Sequence, residues 1–109
     1  MKKFVVIYHA PKTWSKRAAG ASPEEMKKGM EQWMAWAKKC GKGLLDMGAP
    51  LGNGRKISKT GSSPSKREVV GYSILQAESM DKAKRMLKDH PHLKWAAGCE
   101  IELYEAMPT

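Results

Sequence analysis

The sequence predicts an α+β domain in which two helices cover one face of an antiparallel sheet, in the order βαββαβ. Residues 4–8 and 69–75 are apolar at successive positions, which is typical of central strands covered on both faces. Residues 99–107 alternate polar and apolar side chains, as a strand with one wet face does. Two segments with helix start signals lie between these strands, so the elements alternate as the order requires.

The first helix is predicted to begin after a polar loop over residues 12–21. Ser22 supplies a capping hydroxyl, Pro23 suits the first helical position, and Glu25 stands where a capping box needs a carboxylate. Gly41 and Gly43 are expected to end this helix. Apolar residues at spacings of four and three predict its buried stripe, which consists of Met26, Met30, Trp33, Ala37 and Cys40, widened by Met34 and Trp36.

Residues 44–51 predict a short second strand at a sheet edge or bulge, since Gly48 and Pro50 interrupt it. The turn signal Gly52-Asn53-Gly54 follows, then a brief return arm over residues 55–57 and a loop over residues 60–65.

The second helix is predicted to begin at Ser79 and to end near residues 89–92, because Pro91 disfavours helical geometry in the residue before it. Its apolar stripe consists of Met80, Ala83 and Leu87. Residues 94–98 then lead into the last strand, and His92 is expected to lie in an exposed loop.

The resulting order is the split βαβ, or ferredoxin-like, arrangement, and 109 residues predict a single domain over residues 1–109. Two helices leave the second face of the sheet bare. Because the central strands are apolar on that face too, the sequence predicts a homodimer in which two sheets pack face to face.

The net charge of +9 suggests nucleic acid as a possible binding partner. The basic residues are nevertheless scattered along the chain. Only residues 52–67 carry charge of a single sign, because they contain no acidic side chain and five basic ones, Arg55, Lys56, Lys59, Lys66 and Arg67. A loose basic loop explains this stretch more simply, and it has no aromatic side chain on which bases would stack. Nucleic-acid association is therefore the last-ranked alternative.

The two cysteines, Cys40 and Cys99, are isolated, which predicts reduced thiols in a cytoplasm rather than a disulfide framework. The apolar run near the amino terminus is too short for a signal peptide, and no stretch is long enough to cross a membrane.

Histidines are the main candidates for chemistry. A histidine can titrate near neutral pH, and His90 follows Asp89 at a helix end that would face a cleft, so both are candidate catalytic residues. The structural alternative, which we favour, is that Asp89 and His90 cap the helix. His9 ends a central strand, where it would act as acid or base with Tyr8 or Asp46 nearby, or simply lie at a solvated strand end.

No metal or cofactor site is predicted. The histidines lack the i, i+4 spacing of helical metal ligands, and no carboxylate cluster or phosphate-binding glycine loop accompanies them.

Several segments resemble the YCII-related family, relatives of the DGPF-domain proteins. They are FVVIYHAP, LLDMGAPLG, GYSILQAESMDKAKRMLKDHPHL and CEIELYEAMP. The resemblance implies a dimeric α+β barrel, a cleft between sheet and helices, and, for a few members, chemistry on chlorinated aromatic breakdown products. The DGPF tetrapeptide is absent. Trp33 stands where enzyme-like members carry the histidine of a proposed His–Asp dyad, so that dyad is not carried over.

The sequence thus predicts a homodimer that binds a small aromatic or acidic molecule in a cleft lined by His9, Trp33 and His90, with Tyr8, Asp46 and Tyr72 as further ligand contacts. If the protein is an enzyme, the expected reaction is cofactor-free proton transfer of the lyase or isomerase type, with His9 or His90 as base. The alternative is a non-catalytic ligand-binding or regulatory module.

Overall fold

The computed structural model describes residues 1–11, 22–95 and 97–108, so the loop predicted at residues 12–21 lies outside the described residues. A short 3-10 turn, Gly41–Gly43, follows the first helix. The other elements, in chain order, are β1 (Lys2–His9), α1 (Pro23–Cys40), β2 (Leu44–Asp46), β3 (Arg55–Ser58), β4 (Gly61–Pro64), β5 (Val69–Ala77), α2 (Met80–Leu87), α3 (Pro91–Trp95) and β6 (Glu100–Glu105).

The main sheet has the strand order β2-β5-β1-β6, and each neighbouring pair is antiparallel. The two strands with apolar residues at successive positions, β1 and β5, are central and adjacent. This order confirms the ferredoxin-like α+β prediction.

The sheet separates two environments because successive side chains point to opposite faces. Phe4, Val6 and Tyr8 of β1 are buried against the helices, together with Leu75 and Ala77 of β5. Trp36, Ala83 and Leu87 of the helices complete this core. The residues between them point to the opposite, open face and are only half-buried.

Both helix starts follow the predicted capping. The backbone N–H of Glu25 donates to the Ser22 hydroxyl at 3.1 Å, and that of Lys82 donates to the Ser79 hydroxyl at 3.2 Å. The stripe predicted for α2 is confirmed at Ala83 and Leu87, which are both buried.

The buried stripe predicted for α1 is wrong at its three methionines, since Met26, Met30 and Met34 are 57%, 60% and 55% exposed. Trp36, expected only to widen the stripe, is the buried residue of this helix. A Cβ at Gly29 would lie 3.3 Å from the Trp95 ring, so α1 approaches α3 through a residue with no side chain. The face of α1 that packs on α3 therefore includes Gly29. A prediction from the spacing of apolar side chains misses this face, because glycine has no side chain.

The predicted second strand over residues 44–51 is shorter, because β2 ends at Asp46. The Asp46 carboxylate accepts a hydrogen bond from the backbone N–H of Gly48, whose φ of 80° turns the chain away. An isolated bridge between Pro50 and Gly71 restores contact with β5. The predicted arm and loop instead form a separate hairpin, β3–β4, whose residues are all exposed.

The expectation that His92 lies in an exposed loop is also wrong. The second helix ends at Leu87, just before the predicted end at residues 89–92, and Pro91 occupies the first position of α3, where the missing N–H is not needed. His92, on this extra turn, is 5% exposed. Within the described residues, none of the helices combines the length and apolar character needed to cross a membrane.

Candidate functional site

A continuous series of hydrogen bonds crosses the core between the sheet and the helices. The imidazole Nε2 of His90 lies 3.2 Å from the Tyr8 hydroxyl, which lies 2.7 Å from the Ser73 hydroxyl. The Ser73 hydroxyl in turn donates to the Met47 carbonyl oxygen at 2.8 Å. At the other end, the backbone N–H of His92 donates to Nδ1 of His90 at 3.0 Å. We call His90, Tyr8 and Ser73 the polar relay.

The two ends of the relay fix the direction of every bond within it. Nδ1 of His90 accepts from a backbone N–H, so in the neutral ring the proton resides on Nε2. Ser73 uses its one proton toward Met47, so it must accept from Tyr8. The relay therefore runs from the Nε2–H of His90 to Tyr8 and from the Tyr8 hydroxyl to Ser73. The direction also makes His90 a hydrogen-bond donor toward Tyr8.

A reversal of the chain after α2 places His90 inside the protein. Asp89 has a φ of 61°, in the left-handed region that few residues other than glycine adopt. The backbone N–H of His90 then donates to the Leu87 carbonyl at 3.1 Å. As a result the Asp89 side chain is exposed, whereas His90 is 0% exposed.

Aromatic rings surround the imidazole of His90. Its centroid lies 4.5 Å from that of Trp33 and 4.3 Å from that of Trp36, both in edge-to-face geometry, and 5.1 Å from the Tyr8 ring. The Trp36 indole N–H donates to the Met86 carbonyl at 2.8 Å, which fixes that ring against α2. We call these three rings around His90, those of Tyr8, Trp33 and Trp36, the aromatic box.

This environment keeps the relay uncharged. Burial, reinforced by the neighbouring His92, lowers the pKa of His90 to about 3. Burial also raises the pKa of the Tyr8 hydroxyl well above its usual range, although the hydrogen bond to Ser73 opposes this effect. Near neutral pH both groups hold their protons in the positions that the hydrogen bonds require.

The structure brings together some of the predicted site residues and separates others. Tyr8 and Trp33 contact His90 directly. The His9 side chain points to the open face of the sheet and pairs with Glu102 of β6. The side chains of His9 and His90 therefore do not line one cleft in a single protomer.

The remaining predicted contacts lie away from the relay. The exposed Asp46 carboxylate binds the backbone of Gly48, and Tyr72 lies on the open face opposite Ile7. Asp89 is next to His90 in sequence but faces outward.

Sequence reasoning missed three members of the cluster. Ser73 carried a signal, because it is a hydroxyl at an inward-facing position of a central strand and so needed a partner. Trp36 was predicted on the apolar stripe of α1 but not as a contact of His90, and no local pattern indicates that His92 is buried. The His92 Nε2–H donates to the His9 carbonyl at 2.7 Å, a bond that ties α3 to the end of β1.

A cleft of about 300 Å³ lies beside the relay, between α1 and the junction of α2 and α3. Trp36 belongs both to this cleft and to the aromatic box, and Asp89 and Pro91, the neighbours of His90 in sequence, form part of the cleft wall. Among the described residues, no three histidine, cysteine, aspartate or glutamate side chains are grouped closely enough to hold a metal ion.

Comparisons with known proteins agree with this architecture. The model of the YCII-related domain matches residues 1–107. A solved structure of 5-chloro-2-hydroxyhydroquinone dehydrochlorinase from Burkholderia phenoliruptrix AC1100, in complex with 2,5-dihydroxybenzoquinone, is similar with a TM-score of 0.52 at 17% identity. The similarity covers 94% of this chain and 91% of that one, and at this identity it concerns the fold. A search of curated proteins finds no match.

Proposed function

This chain belongs to the YCII-related domain family, and we propose that it binds a small aromatic or acidic organic molecule next to the polar relay. The observation that carries the proposal is the relay itself, three hydrogen-bonded side chains enclosed by aromatic rings in the core. Buried polar groups within apolar walls are typical of small-molecule sites. The neighbouring dehydrochlorinase structure, which holds a quinone, is consistent with such a ligand.

For catalysis, the relay is suited to hydrogen-bond donation. A ligand oxygen that replaced Ser73 as the acceptor would receive the hydrogen bond of the Tyr8 hydroxyl, while the Nε2–H of His90 still donated to Tyr8. This bond would stabilise charge that develops on the ligand oxygen, with no cofactor. Such a step belongs to proton transfer of the lyase or isomerase type. Asp89, at the cleft wall beside His90, would assist from outside the core.

A base role for His90 needs a further change. Nε2 would have to lose its proton, and Nδ1 would then have to hold one, which breaks the bond from the His92 N–H. The pair of His9 and Glu102 is the second candidate base, since a carboxylate partner orients an imidazole.

The alternative is a non-catalytic binding module, and one observation favours it. Both ring nitrogens of His90 are already occupied, and Trp33 packs at 4.5 Å from its ring. In this alternative the hydrogen bonds of the relay have a structural role in the core, and the ligand binds without reaction.

We further propose that the protein is a cytoplasmic homodimer whose two sheets pack through their open faces. Val5, Ile7, Tyr72 and Ile74 place apolar side chains on that face, and they are only half-buried in one protomer. The His9–Glu102 pair would then face the interior of the dimer, as part of a dimeric α+β barrel.

The test is a thermal-shift screen of small aromatic acids, phenols and lactones, followed by turnover assays on each compound that binds. Binding to the folded state raises the melting temperature, and the stabilisation grows with the logarithm of ligand concentration over Kd. The variants are Tyr8→Phe and Ser73→Ala, with Ser63→Ala as the matched control on the exposed β3–β4 hairpin. A compound that stabilises wild type and control, but not the relay variants, supports the site. Equal stabilisation of all four proteins would refute it.

A further inference from the structure

We infer that the cleft between α1 and the α2–α3 junction recognises an aromatic carboxylate, with the ring on Trp36 and Pro91 and the carboxylate among Lys39, Lys88 and Lys94. This inference rests on the proposed function, because it names the chemical class of the small molecule. It also assigns a binding role to residues outside the relay.

The charge of the cleft is the first argument. Three lysines line it, one from α1, one at the carboxyl-terminal cap of α2 and one from α3, together with a single carboxylate, that of Asp89. Among the described residues, none of the three lysines forms an ion pair with a carboxylate, whereas Lys2 and Lys82 each do. A cleft with unpaired positive charge on opposite walls attracts an anion and raises its local concentration.

The floor of the cleft is the second argument. Only 6% of Trp36 is exposed and its indole N–H is committed to the Met86 carbonyl, so the small part of the side chain that reaches the cleft offers apolar surface rather than a donor. Pro91, which is half-buried, adds a second apolar ring to the lining. Planar aromatic ligands pack well on such surfaces, so the floor favours a ring over a compact inorganic anion.

The size and backbone of the cleft agree with a ligand of this kind. A volume of about 300 Å³ lies at the lower end of the range that small-molecule pockets occupy. Asp89 holds a left-handed φ of 61° at its edge, and non-glycine residues in that region are enriched at binding sites. Gln32 of α1 supplies a neutral amide for a second polar group on the ring.

The experiment compares benzoate with its neutral isostere benzamide and with inorganic phosphate. Binding is followed by the NMR shift of the Trp36 indole N–H. The test variant carries Lys39→Gln, Lys88→Gln and Lys94→Gln. The control carries Lys27→Gln, Lys38→Gln and Lys84→Gln, which removes the same charge from exposed positions outside the cleft, two of them in the last turns of the same helices.

We expect benzoate to bind wild type and control alike, and the test variant at least about tenfold more weakly, because charge-assisted contacts are lost. Benzamide and phosphate should bind more weakly than benzoate by a similar factor. Added salt should weaken benzoate binding, since the lysines are exposed.

Three outcomes would overturn the inference. Equal weakening in test and control variants would show a diffuse charge effect. Equal binding of benzoate and benzamide, unaffected by either triple variant, would refute the cleft while small-molecule binding stands. Failure of benzoate to bind wild type would refute the aromatic carboxylate, and the screen against the relay variants then decides the proposed function separately.

Discussion

At the scale of single residues, His90 shows how local hydrogen bonds determine what a histidine can do. A titratable residue beside an aspartate at a helix end is a natural candidate for a general base. Here its Nδ1 accepts from a backbone N–H and its Nε2–H donates to Tyr8. These two bonds select one neutral tautomer, and burial among Trp33 and Trp36 stabilises it against protonation.

We predict that His90 remains the neutral Nε2–H tautomer well below pH 6.5. Its pKa is lowered from 6.5 to about 3 in the folded protein. Between these two pH values the imidazole is therefore protonated in the unfolded chain and neutral in the folded chain. The free energy of unfolding should therefore fall as the pH falls from 6.5 toward 3, with a slope of up to about 1.4 kcal/mol per pH unit.

Two measurements check this prediction. NMR of the imidazole nitrogens reports the tautomer and the pKa directly, and denaturant unfolding between pH 7 and pH 4 reports the slope. The His90→Gln variant should show a shallower slope than wild type. Titration of the His90 ring near pH 6.5 would contradict the burial argument.

We predict that Tyr8→Phe destabilises the fold by about 1–3 kcal/mol, because it leaves the Nε2–H of His90 buried without an acceptor. Ser73→Ala removes the acceptor of the Tyr8 hydroxyl, and the double variant should cost less than the sum of the two single ones. The matched control is Ser63→Ala, at an exposed hydroxyl on the β3–β4 hairpin. Denaturant unfolding gives the free energies, and strict additivity of Tyr8 and Ser73 would argue against a connected relay.

At the scale of elements, the segment after β2 has two roles: it turns the chain away from the sheet, and it supplies the last acceptor of the relay. Met47 supplies the carbonyl that ends the relay, and Gly48 follows it directly. A Cβ at Gly48 would lie 1.7 Å from the Tyr72 carbonyl oxygen, and the φ of 80° is itself unfavourable for other residues. The close approach of backbone to backbone therefore requires glycine at this position.

We predict that Gly48→Ala destabilises the protein by at least about 2 kcal/mol, since both backbone strain and a clash oppose the methyl group. Gly52→Ala is the matched control, because a Cβ there has no atom within 4 Å. Thermal and denaturant unfolding measure the difference. If the two variants are equally stable, the chain does not pass β5 as closely as described.

The elements that the sequence predicted correctly are those whose signal is local. The caps at Ser22 and Ser79 and the apolar strands at β1 and β5 each depend on a few adjacent residues, and the structure confirms them. The rotation of α1 was misjudged because Gly29, at its closest approach to Trp95, has no side chain to count. The burial of His92 depends on a bond to the His9 carbonyl, 83 residues away in the sequence, which no local pattern encodes.

At the scale of the whole molecule, the two faces of the sheet differ in how completely they are covered. The helices bury the face that carries Phe4, Val6 and Leu75 to 0% exposure. On the open face, Val5 lies opposite Ile74 on one side and Tyr104 on the other, with no element above them among the described residues. A contiguous apolar strip on two central strands is costly to leave in water, which is the physical reason to expect a second sheet against it.

The dimer proposal predicts a mass in solution of about twice 12.1 kDa, because two such strips would bury each other. Ile74→Lys should shift the protein toward the monomer, since it places a charge at the centre of the interface. The matched control is Ile57→Lys, at an isoleucine that is 81% exposed on the β3–β4 hairpin and lies outside the open face. Sedimentation equilibrium over a range of concentrations measures both variants. If wild type sediments as a single chain at all concentrations, or if both lysine variants dissociate equally, the open face is not the surface that joins two protomers.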